Sequence, residues 1–61
     1  MTRPRFCVFT LRAHGSPAFY ILDRARNHLE VAHWRPCPAW DAEQAEALAH
    51  LQCERLNRAA A

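Results

Sequence analysis

Apolar residues recur along the chain at two different spacings. Between Phe6 and Trp34 they crowd into three short runs rich in aromatic and β-branched residues, each closed by turn-forming residues. Between Trp40 and Arg58 they return every three or four positions, the spacing of a helix with one apolar face.

The helical stretch has a well-marked start. Asp41 is placed to cap the first turn, because its carboxylate can accept from the orphan N–H groups there. Gln44, three residues on, completes an Asp-x-x-Gln capping box, and Trp40 stands where a staple residue packs back on Ala45. Glu43 and Glu46 lie near the positive end of the helix dipole, Arg55 and Arg58 near the negative end. Ala42, Ala45, Leu48, Ala49, Gln52 and Leu56 share one face, with Cys53 at its edge. Glu43, Glu46, His50, Glu54 and Asn57 fall opposite, and Leu51 lies off the stripe. The helix is expected over 41–58, with Asn57 capping its end and Ala59 to Ala61 frayed.

The three runs predict strands over 6–12, 18–23 and 29–34. Ala13 to Pro17 forms the first turn and Arg24 to His28 the second, where Asn27 tolerates positive φ. Arg35 to Ala39 is a connector stiffened by Pro36 and Pro38. The expected fold is α+β: a three-stranded antiparallel meander followed by one C-terminal helix packed on one sheet face, β-β-β-α, in a single small domain spanning 1–61.

If the first turn sets Arg12 opposite Ala18 and the second sets Asp23 opposite Leu29, side chains divide into two faces. Cys7, Phe9, Leu11, Phe19, Ile21, Leu29, Val31 and His33 make the better core and are expected under the helix. Phe6, Val8, Tyr20, Leu22 and Trp34 are then left on the other face, which one helix cannot also cover. A contiguous apolar patch of that kind marks an interaction site, and Tyr, Trp and Arg dominate binding hot spots. The partner-binding residues are therefore expected to be Phe6, Tyr20, Leu22 and Trp34, with the turn arginines Arg24 and Arg26 at the rim. A homodimer packed back to back through the same face is the plainer alternative.

Size and charge sharpen this picture. A core from 61 residues rarely supplies more than about 3–5 kcal/mol, so a staple or a partner would help. The net charge of +2 is uneven: six arginines precede Pro36 against Asp23 and Glu30, whereas four of the six acids follow it. Every basic residue other than histidine is arginine, which supplies forked donors for carboxylate or phosphate. Three cysteines cannot close a disulfide framework, so a reducing, cytoplasmic setting is expected. The apolar run from Phe6 to Leu11 is too short to span a membrane or form a signal-peptide core.

Little in the chain points to chemistry. His33, Cys37, His50 and Cys53 offer a zinc ligand set, but helix rise places His50 about 13 Å from the helix start. Cys37, beside Arg35 and just before the helix, is the sole nucleophile candidate and lacks a His-Asp partner set. One glycine cannot build a phosphate-cradling loop. No enzymatic activity and no cofactor are expected, zinc being the one metal to consider. Phe6, Tyr20 and Trp34 with nearby arginines are similar in kind to a stacking platform for single-stranded nucleic acid, although the RNP-type motif is absent.

Tyr20-Ile21-Leu22-Asp23, Leu29-Glu30-Val31-Ala32 and Ala45-Glu46-Ala47-Leu48-Ala49, ending in Leu56-Asn57, together resemble the hairpin-plus-helix layout of small phage and mobile-element accessory proteins, anti-CRISPR proteins among them. The likeness covers residues 18–58 and is architectural. It implies a phage-encoded, stoichiometric inhibitor that binds a large host defence complex. The mild positive charge departs from the acidic, DNA-mimicking members, so the implied mode is occlusion of a surface. The sequence thus predicts a non-enzymatic protein–protein interaction module. A single-stranded nucleic-acid binder using the same face and a zinc-stapled structural module are the alternatives.

Overall fold

In the computed structural model, which describes residues 3–13 and 15–61, three antiparallel strands form one open sheet with a single C-terminal helix packed on it. The strands are β1 (Phe6–Ala13), β2 (Ser16–Asp23) and β3 (Leu29–Trp34), in the spatial order β1-β2-β3. The helix, α1, spans Ala42–Ala60. The architecture is the expected β-β-β-α. Met1 and Thr2 of the basic lead-in and His14 of the first turn lie outside the described residues.

The helix starts as its sequence predicts. The Asp41 carboxylate accepts from the Gln44 N–H at 2.9 Å, and the Gln44 side chain accepts from the Asp41 N–H at 3.0 Å. Trp40 packs on the cluster that holds Phe19, Ala45 and Ala49, and its indole N–H donates to the Arg35 carbonyl at 2.9 Å. Cys37 and Trp40 exchange backbone hydrogen bonds, which folds the proline connector into a tight loop. The C-terminal end departs from expectation. Alanine is the strongest helix former, and α1 continues through Ala60.

The first hairpin is tighter than expected. Ala13 opposes Ser16, so Arg12 opposes Pro17 and Leu11 opposes Ala18. Pro17 can sit inside β2 because its missing N–H points away from β1, past the end of β3 at Trp34. Gly15 supplies a φ of 75° in the loop. This one-residue difference exchanges the faces of β1. Phe6 and Val8, rather than Cys7, Phe9 and Leu11, now join Phe19 and Ile21 beneath α1.

Asp23 opposes Leu29 as expected, but a bulge between Ile21 and Leu22 then sets Ile21 opposite Ala32 instead of Val31. Ala32 and Trp34 therefore face the helix in place of Val31 and His33. Between β2 and β3 the chain makes a single 3-10 turn, Arg24–Arg26, followed by Asn27 and His28, both at positive φ.

The core is narrow. Ile21, fully buried, clusters with Phe6 and Cys53, Phe19 clusters with Ala45 and Ala49, and the half-buried Val8 and Trp34 pack against both groups. The alanines let α1 approach the sheet closely, at the expense of buried area.

Candidate interaction surface

Residues that oppose each other in antiparallel strands share a face. Cys7, Phe9 and Leu11 oppose Leu22, Tyr20 and Ala18, and Tyr20 also opposes His33. These residues make the sheet face that α1 leaves open. Phe9 is 49% exposed and Leu11 45%, while Cys7, Tyr20 and Leu22 are half-buried among their neighbours. Ala18 is buried because its methyl is too short to rise past them.

The face has two halves. The β1 side is apolar. The β3 side carries a small polar network in which the Tyr20 and His33 rings lie 5.8 Å apart, tilted by 38°. A guanidinium N–H of Arg35 donates to the Tyr20 hydroxyl at 3.1 Å, and His33 Nδ1 lies 3.3 Å from the Glu30 carboxylate. The bulge makes this last contact possible, because it brings residues three apart in β3 onto the same face.

The expected partner-binding residues separate accordingly. Tyr20 and Leu22 are on the open face. Phe6 and Trp34 are not: Phe6 is 9% exposed under α1, and Trp34 packs on the two core clusters. The shorter hairpin and the bulge moved them. Arg24 and Arg26 stand in the turn after β2, at the end of the sheet. Residues missed from sequence are Phe9 and Leu11, which looked apolar enough to be core, and His33, which was expected beneath the helix; Arg35 is at the margin of the face, where the stacking-platform reading expects an arginine.

Beside that turn, Asp23 is 2% exposed. Its carboxylate accepts from Arg5 through two nitrogens, at 2.9 and 3.0 Å, and from the Ala25 N–H at 3.0 Å. Arg26 approaches the same carboxylate at 3.7 Å. The hydrogen bonds from Arg5 hold Asp23 below its ordinary pKa against the opposing effect of burial. Arg5 and Arg26 are thus partly committed to a structural task.

The candidate zinc set is not brought together. His33 is on the open face, Cys37 is exposed in the connector, and His50 is exposed on α1. Cys53 is buried on the opposite side of the sheet from His33, and burial pushes its thiol pKa up. Among the described residues no cluster of His, Cys, Asp and Glu has the arrangement of a metal site. The three cysteines are free thiols. Among the described residues no helix is long and apolar enough to cross a membrane.

Two shallow concavities of about 330 Å³ flank α1. One, at its C-terminal end, is lined by Arg3, Pro4, Arg5, Asn57, Ala60 and Ala61, and the other by Trp40, Leu48 and their neighbours. Compared with protein-family models, curated proteins and solved structures, the chain matches none significantly.

Proposed function

We propose that this chain is a non-enzymatic binding module that docks a protein partner through its open sheet face. The observation that carries the reading is the pair Phe9 and Leu11, each nearly half exposed beside the Tyr20–His33–Arg35 network. An apolar centre with an aromatic and an arginine at its margin is the usual composition of a binding hot spot. The role best suited to so small a surface-presenting fold is stoichiometric occlusion of a larger assembly, such as a host defence complex met by a phage-encoded inhibitor.

Co-purification of the tagged chain from its host tests this. A partner retained by wild type and by His50→Ala, on the far side of the molecule, should be lost with Phe9→Ala/Tyr20→Ala. Truncating hot-spot residues should weaken binding by at least about tenfold. Retention by the double variant at wild-type affinity refutes the reading.

A second reading keeps the face and changes the ligand. Tyr20, His33 and Arg35 lie together as a reduced stacking platform for single-stranded nucleic acid. Gel shifts at two salt concentrations separate the two readings, because phosphate contacts lose affinity steeply with salt.

A further inference from the structure

Backbone groups in an antiparallel edge strand alternate between bonding inward and pointing outward. In β1 the phase is set by two observations. The Arg5 carbonyl accepts from the Arg24 N–H at 2.8 Å, so odd-numbered residues bond toward β2. The Phe6 N–H and carbonyl both turn the other way, to the Asn57 side chain. The outward groups along β1 are therefore those of Phe6, Val8, Thr10 and Arg12. Asn57 occupies the Phe6 position as a strand neighbour would. Among the described residues nothing pairs with the backbone of Val8, Thr10 or Arg12.

The two edges of the sheet are defended unequally. β3 is short, carries the bulge and the Glu30–His33 pair, and runs into Pro36. Those are the usual devices that stop an edge from recruiting another strand. β1 has eight residues, FCVFTLRA, with no proline, no glycine and one charge. A long, apolar, unbulged edge is a template for strand addition.

We infer that β1 pairs antiparallel with β1 of a second copy, centred on Thr10, to give a continuous six-stranded sheet. The register follows from which groups are free. Opposing Thr10 to Thr10 sets Val8 opposite Arg12 of the other copy, and each such pair exchanges two hydrogen bonds. This register uses all the outward groups that Asn57 leaves free. A shift of two residues toward Phe6 sets Arg12 opposite Phe6, whose backbone Asn57 fills, and a shift of two toward the loop sets Arg12 opposite Thr10 and carries Val8 past the last residue of β1, leaving its groups unused. The same register brings Phe9 of each copy opposite Leu11 of the other on the open face. Two exposed side chains thereby become cross-strand pairs. The two-fold axis stands perpendicular to the sheet, so the open faces join into one surface. The inference does not depend on what that surface binds.

The experiment is amide hydrogen exchange on the full chain at micromolar and millimolar concentration, with sedimentation to report mass. At high concentration the mass should double, and the Val8, Thr10 and Arg12 amides should slow to the rates of core amides. The Cys7, Phe9 and Leu11 amides should be protected at both concentrations. Thr10→Pro removes the central outward N–H without touching a bond to β2, and should return the mass to one chain. If Thr10→Pro fails to fold, the wild-type exchange pattern alone decides. A monomer at millimolar concentration overturns the inference. So does a dimer in which Val8, Thr10 and Arg12 still exchange freely, which would place the contact on the open face, or a folded Thr10→Pro that stays dimeric.

Discussion

The Asn57 side chain clamps the backbone of Phe6. Its carbonyl oxygen accepts from the Phe6 N–H at 2.8 Å, and its amide nitrogen donates to the Phe6 carbonyl at 3.1 Å. Residues 51 positions apart are joined in this way, and the end of α1 is fixed to the start of β1. The contact lies beside Cys53, which Asn57 also approaches at 3.7 Å, so the clamp closes one end of the core.

Removing the clamp should therefore destabilise the fold beyond an ordinary surface change. Asn57→Ala leaves two backbone groups without their partner at a half-buried site, a cost of about 1–2 kcal/mol. Denaturant unfolding measures it. The Phe6 amide should also exchange faster while the Ile21 amide keeps its protection relative to global unfolding. An unchanged midpoint would mean that water replaces the carboxamide without loss.

Phe6 and Phe9 offer a direct comparison, since they are the same residue type on one strand and on opposite faces. Phe6→Ala empties a core position and should cost about 3–5 kcal/mol, enough to unfold much of a domain this small. Phe9→Ala, at dilution where chains are single, should cost no more than about 1 kcal/mol. Equal losses would mean that the open face is covered in solution.

These two residues also mark where the sequence stops being readable. The start of α1 was legible because Asp41, Gln44 and Trp40 act on neighbours a turn away. The strands were legible from composition, and Phe19 and Ile21 were rightly placed under the helix. The faces of β1 were not, since they turn on whether Pro17 ends a strand or sits within it. That depends on β3 ending short of Pro17, a fact external to the hairpin. The bulge beside Ile21 has no turn residue to announce it, yet it is what brings Ala32 and Trp34 rather than Val31 and His33 against the core. Asn57 looked like a helix cap because nothing local in the sequence announces a partner as distant as Phe6.

Stability should fall in acid through Asp23. Its pKa is lowered in the folded protein, chiefly by the hydrogen bonds from Arg5. Its contribution is therefore complete above the unfolded-state value of about 4 and is lost as pH falls through the lower folded value. Asp23→Asn should melt below wild type at neutral pH, and the gap should narrow as pH drops below about 4. Thermal melts across pH 7 to 2 check this. A gap independent of pH would assign the loss to packing instead of charge.

The turn between β2 and β3 tests backbone strain apart from side-chain contacts. Asn27 has φ 58° and ψ 41°, in the left-handed region, and His28 follows with φ 60°. Asparagine tolerates this conformation better than other residues with a Cβ, and glycine adopts it freely. Asn27→Ala should therefore cost about 1 kcal/mol, although Asn27 is exposed. Asn27→Gly should be close to neutral, because relief of strain offsets the greater freedom glycine has in the unfolded chain. Comparing both variants by denaturant unfolding distinguishes strain from a lost side-chain contact. A lost contact would make the two substitutions equally harmful, whereas strain makes only alanine harmful.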